Sequence, residues 1–269
     1  MATATSNGGN WTRPQILAAL HIYLQIPFGQ LHQRNPKIKQ LAGWVGRTPG
    51  AIALKLVNLA SLDPVIVASG RVGMNNASAL DKKIWTELQV NWDRVALDAA
   101  AEYERLAERN GVQADNDLLG EASPLEDIFA IEEGRTRSAV VQVRVNQARF
   151  RRAVLASYDA TCCISGLKHE KLVIASHIVP WAEDTKNRLN PQNGLCLSAL
   201  HDRAYDQGLI TVMPDFTVRV SAKLKTHNGD AFISESLLRF DQKPISFPNR
   251  FGPSPDLLEK HARRFGFIP

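Results

Sequence analysis

Apolar residues first settle into a helical period beyond residue 10. Ile16, Leu17, Leu20, Tyr23 and Leu24 recur at three- and four-residue intervals behind Thr12-Arg-Pro-Gln15, a capping-box sequence with Pro14 in the first turn. Asn35-Pro36 opens a second helix with Ile38, Leu41, Ala42 and Val45 on one face and Gly46 at its end. Thr48-Pro49 opens a third that turns Ile52, Leu56 and Leu59 inward. The short Gly46-Arg47 link is the punctuation of a helix-turn-helix, and equally of an ordinary three-helix bundle. In the first case Gly50 and Ala51 approach a groove, and Arg47, Lys55 and Asn58 lie near phosphates or base edges.

A turn-rich stretch from Arg71 leads to Leu80, Ile84, Trp85 and Leu88 at helical spacing, and a further helix is expected from Val95 to Arg109. Residues 111–136 are acid-rich and lack an apolar period, which predicts a linker. From Ala139 the period changes to two. Val141, Val143 and Val145 alternate with Gln142 and Arg144, predicting a half-buried strand. Asn146 then caps a helix with Phe150, Val154, Leu155 and Tyr158 on one face and Arg149, Arg151 and Arg152 crowded near its start. Leu172-Val-Ile-Ala and Leu195-Cys-Leu197 predict two strands, Ala199 to Gln207 a short helix, Thr217 to Val220 a strand and Asp256 to Arg264 a basic closing helix.

At 269 residues the chain has room for two modest domains, each able to bury a core. The net charge of +5 favours a polyanionic partner. Three cysteines, two of them adjacent, make no disulfide framework, and the absence of a Cys-x-x-Cys pair argues against structural zinc, so the chain reads as an intracellular, cytoplasmic protein. No apolar run is long enough to span a bilayer, and the first ten residues are small and polar without the apolar core of a leader, predicting a disordered start.

The chemistry gathers in one stretch. Ala175-Ser-His177-Ile ends an apolar strand, Asn193-Gly194 follows a polar loop, and His201-Asp-Arg-Ala-Tyr-Asp206 lies on the short helix. With Arg144-x-x-Gln147-x-x-Phe150-Arg151 ahead of it, this stretch resembles the ββα-metal core of the HNH endonucleases, in the restriction-endonuclease-like branch written Ala-Ser-His-Ile and His-Asp-x-Ala-Tyr-Asp. The resemblance covers about residues 137–213.

What the resemblance implies is a metal-dependent endonuclease that hydrolyses phosphodiester bonds in duplex DNA, in a restriction or defence role with modified-base sensing open. His177 would be the general base, suited because a neutral imidazole takes a proton near neutral pH. Asn193 would tie the loop after His177 to the second strand; Asn190 competes for the match, but Asn193 sits directly before the strand. His201 would be a metal ligand. The ion would be a divalent cation, magnesium first, with manganese, cobalt, nickel or zinc open to an imidazole site. Many relatives carry Asp or His just before the base, where this chain has Ser176, so the second ligand is open. Asp206 is a candidate, although five residues from His201 is about 140° round a helix. Arg144, Arg151, Arg152, Arg188 and Arg203 are candidate DNA contacts beside Arg47, Lys55 and Asn58.

The expected plan is an α+β chain: a disordered start at 1–10, a helical DNA-recognition domain at 11–110, an acidic linker at 111–136, and an HNH nuclease domain with a C-terminal extension at 137–269. Its partner would be duplex DNA, with a homodimer as one way to cut both strands and with no membrane or small-molecule cofactor. The alternatives are an inactive HNH-fold DNA-binding regulator, or a structure-specific or RNA nuclease.

Overall fold

The computed structural model describes residues 9–70, 76–112 and 137–269, with side chains from residue 141 in the last stretch. It divides into two compact units, Met1–Ala153 and Val154–Pro269. The division falls inside a helix, later in the chain than the expected linker, and residues 113–136 of that linker lie outside the described residues.

The first unit is built round α1 (Arg13–Gln25), whose residues Ile16 to Leu24 are all buried. A run so continuously apolar needs neighbours on every side. They include α2 (Pro36–Val45), α3 (Pro49–Ala60), α5 (Ala79–Val90) and α6 (Trp92–Arg109), with the single turn α4 (Pro64–Ala68) between α3 and α5. The caps read from the sequence do their expected work. Gln15 accepts from the Thr12 N–H, Asn35 from Lys37 and Thr48 from Ala51, and Gly46 ends α2 at φ +66°, a left-handed conformation that favours glycine. Gly9 and Asn10, placed in the disordered start, are held instead by their carbonyls, which accept from Arg47 at 2.8 and 3.1 Å.

Two expectations in this unit need correction. Residues 139–145 are not a strand but part of α7 (Arg137–Ser157). A strand requires a partner to bond its backbone, whereas a helix satisfies N–H and C=O internally, and this stretch, with Val141 exposed, runs on into the buried face that begins at Ala148 and Phe150. Lys55 and Asn58, expected at a groove, are buried at 3% and 6% exposure. The Lys55 ammonium bonds both oxygens of buried Asp81, at 2.9 and 2.8 Å.

The second unit begins with the end of α7 and a turn through Cys162 and Cys163. Strand β1 (Val173–His177) then pairs antiparallel with β2 (Gly194–Ser198), Ser176 opposite Leu195 and His177 opposite Gly194. Helix α8 (Ala199–Asp206) follows β2 without a loop, capped by the Ser198 hydroxyl. Gly208, at φ +62°, turns the chain into a second antiparallel pair, β3 (Ile210–Val212) with β4 (Val218–Val220). Short helices α9 (Ala222–Lys225) and α10 (Ala231–Ser236) follow. The closing helix α11 (Pro255–Arg264) buries Leu257, Leu258, His261 and Ala262. Its His261 meets Thr211 of β3 at 2.8 Å and stacks on Tyr205 of α8. Among the described residues no helix is long and apolar enough to cross a membrane.

Candidate active site

His177 closes β1 with its ring half-buried and edge-on to Trp181, 5.6 Å between centroids. Its Nε2 lies 3.1 Å from the Arg188 carbonyl. A carbonyl only accepts, so Nε2 carries the proton and Nδ1 is the basic nitrogen. Burial lowers the pKa, outweighing the Arg188 bond that raises it, and brings it to about 4, so the ring is neutral at pH 7. The same Arg188 folds its guanidinium over Trp181 and donates from Nε to the Trp181 carbonyl at 2.8 Å. Arg188 therefore shapes the wall around the base, from a position the sequence suggested for a DNA contact.

The loop between β1 and β2 is cross-braced by Asn193, which is wholly buried. Its Oδ1 accepts from the Val179 N–H at 2.9 Å, and its Nδ2 donates to the carbonyls of Val179 and Asn187 at 3.1 and 3.2 Å. Asn190 serves a local turn, accepting from Gln192 and donating to Asn187.

His201, the metal ligand that the resemblance implies, is bonded to the protein through both ring nitrogens. The ring is 3% exposed. Nε2–H donates to the Ser236 carbonyl at 2.9 Å, while Nδ1 faces the Ser198 hydroxyl at 2.8 Å and the Cys162 sulfur at 3.6 Å. Phe240 covers it edge-on. Both nitrogens are thus spent on the protein, and His201 pins the start of α8 to the Cys162 turn and the Ser236 segment. Burial pushes the Cys162 thiol up, but the His201 contact and Ser165 outweigh it and bring it down to about 6. Cys163 and Cys196 are buried and joined through a Cys163 N–H to Cys196 carbonyl bond.

The next residue turns the other way. Asp202 and Asp206 are four apart, one above the other on α8. Burial raises the Asp202 carboxyl, against the lowering effect of Ser176 and Arg203. Asp206 is raised to about 6, by burial of its carboxyl and then by the charge of Asp202, against Arg203 and Arg264. Ser176, 4% exposed, is close enough to Asp202 to hold its pKa down, yet its hydroxyl makes no hydrogen bond of normal geometry among the described residues. Two neighbouring carboxylates beside a buried hydroxyl make a hard-oxygen donor set that fits a divalent cation retaining waters. No group of three or more His, Cys, Asp or Glu side chains is assembled for a metal among the described residues. Asp202 is absent from the sequence-predicted ligands although the spacing points to it: Asp206 shares a helix face with the residue four before it, which is Asp202 and not His201.

Residues 162–213 match the family model described as HNH endonuclease. The matched HNH segment spans the Cys162 turn, both strands of the first sheet, α8 and β3, and it supports a nuclease-type function. No curated protein matches the chain. Arg203 is exposed on α8 between the two aspartates. Apart from Arg188 and Arg203, the suggested DNA contacts lie in the Met1–Ala153 unit. There Arg47 stacks on Trp11, 4.2 Å from its ring centre, and bonds Gln15, while Arg144, Arg151 and Arg152 are half-buried on α7 and engaged within the chain.

Proposed function

We propose that this chain is a metal-dependent endonuclease acting on duplex DNA, with His177 as general base. The observation that carries the reading is the end of β1. There an imidazole whose proton is fixed on Nε2 by the Arg188 carbonyl sits next in sequence to Ser176, which lies beside the Asp202 carboxylate of α8. In the reaction His177 Nδ1 takes a proton from water as the water oxygen bonds to phosphorus. The P–O3′ bond breaks and its electron pair stays on O3′, which takes a proton from solvent, leaving a 5′ phosphate and a 3′ hydroxyl. Asn193 holds the loop that carries Arg188, and so the orientation of the base, before substrate arrives. The approach of a phosphodiester anion raises the His177 pKa towards neutrality, where a base transfers protons best. A divalent cation held by Asp202 and Asp206, magnesium in the first instance, would supply stabilisation of the departing oxygen. A restriction or defence role accords with such an activity.

Plasmid nicking with Mg²⁺ or Mn²⁺ tests the reading. His177→Ala is expected to lose about a hundredfold or more in rate, and Asp202→Asn to lose activity together with Mn²⁺ affinity. The commitment of His201 to protein partners favours a second reading, a DNA-binding protein that keeps the nuclease shape without the activity. Equal residual nicking by the wild type and His177→Ala would select it.

A further inference from the structure

Beyond the matched segment, the chain adds a helix whose position is not accidental to the site. Phe265 lies over Gly208, so close that a Cβ there would come within 2.1 Å of the ring, and Ser254 donates to the Gln192 carbonyl, one residue before Asn193. With His261 locked between Thr211 and Tyr205, α11 is fastened to both ends of the site's scaffold. Its outward side carries Lys260, Arg263 and Arg264, all exposed. Arg263 is turned along its own helix to Glu259 and to the chain end. Arg264 reaches across to Glu183, 2.6 Å away, on the loop leaving β1 six residues after His177. The next residue, Phe265, packs on Gly208, two residues beyond Asp206. One cation from outside the matched segment thus stands between the loop of the base and the helix of the carboxylates.

We propose that Arg264 is a substrate-binding residue, which exchanges Glu183 for a DNA phosphate flanking the one that is cut. The inference rests on the nuclease reading above. The exchange is favourable because both side chains are about half exposed, at 46% and 53%, and an exposed ion pair contributes little net stability. A guanidinium meeting phosphate gains two parallel charge-assisted hydrogen bonds. Glu183 holds the long side chain extended towards the site until DNA arrives, which reduces the conformational freedom lost on binding.

The test uses the full chain and a fluorescein-labelled DNA duplex, followed by anisotropy without metal over a salt series. Arg264→Ala is expected to weaken binding about tenfold and to reduce the salt slope by about one, with Arg264→Lys recovering part of the affinity. Arg263→Ala, on the same helix, should stay within about twofold of wild type. Glu183→Gln, which releases the guanidinium, should bind at least as tightly as wild type. In plasmid cleavage, Arg264→Ala should raise KM and leave kcat within about twofold. Unchanged affinity and slope in Arg264→Ala, an equal loss in Arg263→Ala, or weaker binding by Glu183→Gln would each overturn the proposal. A wild type that cuts nothing with any divalent ion sinks the nuclease reading instead, and the anisotropy arm still decides Arg264.

Discussion

Removing the Asp81 carboxylate isolates the most consequential charge in the helical unit. Asp81 is fully buried, and besides its two bonds from Lys55 it accepts from the Ser78 N–H and hydroxyl, each at 2.8 Å. Asp81→Ala leaves an ammonium with 4% of its side chain exposed and no counter-charge at its tip. Stranding such a charge costs about 3–5 kcal/mol, and the lost capping box at the start of α5 about 1 kcal/mol more. Against a total stability of about 5–15 kcal/mol that is a large fraction. At a urea dependence of about 2 kcal/mol per molar it moves the midpoint down by about 2–3 M. Trp fluorescence is a selective readout, because Trp11, Trp44, Trp85 and Trp92 belong to this unit and only Trp181 to the other. The double variant Lys55→Met with Asp81→Asn removes both charges and should recover more than half of the loss. An Asp81→Ala midpoint within about 0.5 M of wild type, or a double variant as weak as Asp81→Ala, refutes the desolvated pair. A corollary concerns function: Lys55→Met should leave the salt dependence of DNA binding unchanged, since this ammonium is not available to phosphate.

Acid should loosen the second unit. His261 is held neutral, its pKa lowered by burial to about 4 from 6.5, so the unfolded chain gains a proton first as pH falls. Stability is full above about 6.5 and declines down to about 4, by about 3 kcal/mol at 1.36 kcal/mol per pH unit. Urea midpoints of wild type and His261→Asn measured between pH 7.5 and 4 should show a flatter decline in the variant. Gly208→Ala forces a side chain into a left-handed backbone and against Phe265. A loss of about 2–3 kcal/mol is expected, most of the steric part relieved when Phe265→Ala is added, and thermal unfolding reads both. Asn193→Ala strands the Val179 N–H and carbonyl, and should cost about 2–4 kcal/mol, with faster hydrogen exchange at Val179 and slower nicking. Asn193→Asp keeps only the acceptor and should recover the Val179 N–H bond alone.

Much of this chain is written locally. Thr12, Asn35, Thr48 and Ser198 stand where helices begin, Gly46 and Gly208 where they end, and the β1, β2 and α8 segments are placed by period and punctuation, with His177 and Asn193 singled out on them by the resemblance, because caps and turns need only near neighbours. The valine alternation at 141–145 misled for the complementary reason: a strand is a property of a pair, and among the described residues no strand pairs with it. Which face of a helix is buried was likewise decided at a distance. Lys55 is fixed by Asp81, 26 residues away; His201 by Ser236, 35 away; and Arg264 by Glu183, 81 away. The sequence by itself determined an α+β chain with the strand, loop, strand and helix of a nuclease-type core. Only tertiary packing decided that His201 braces the helix while the very next residue, Asp202, turns with Asp206 to another side, since a one-residue step rotates a side chain by about 100° and only the surrounding walls select the angle that stays dry.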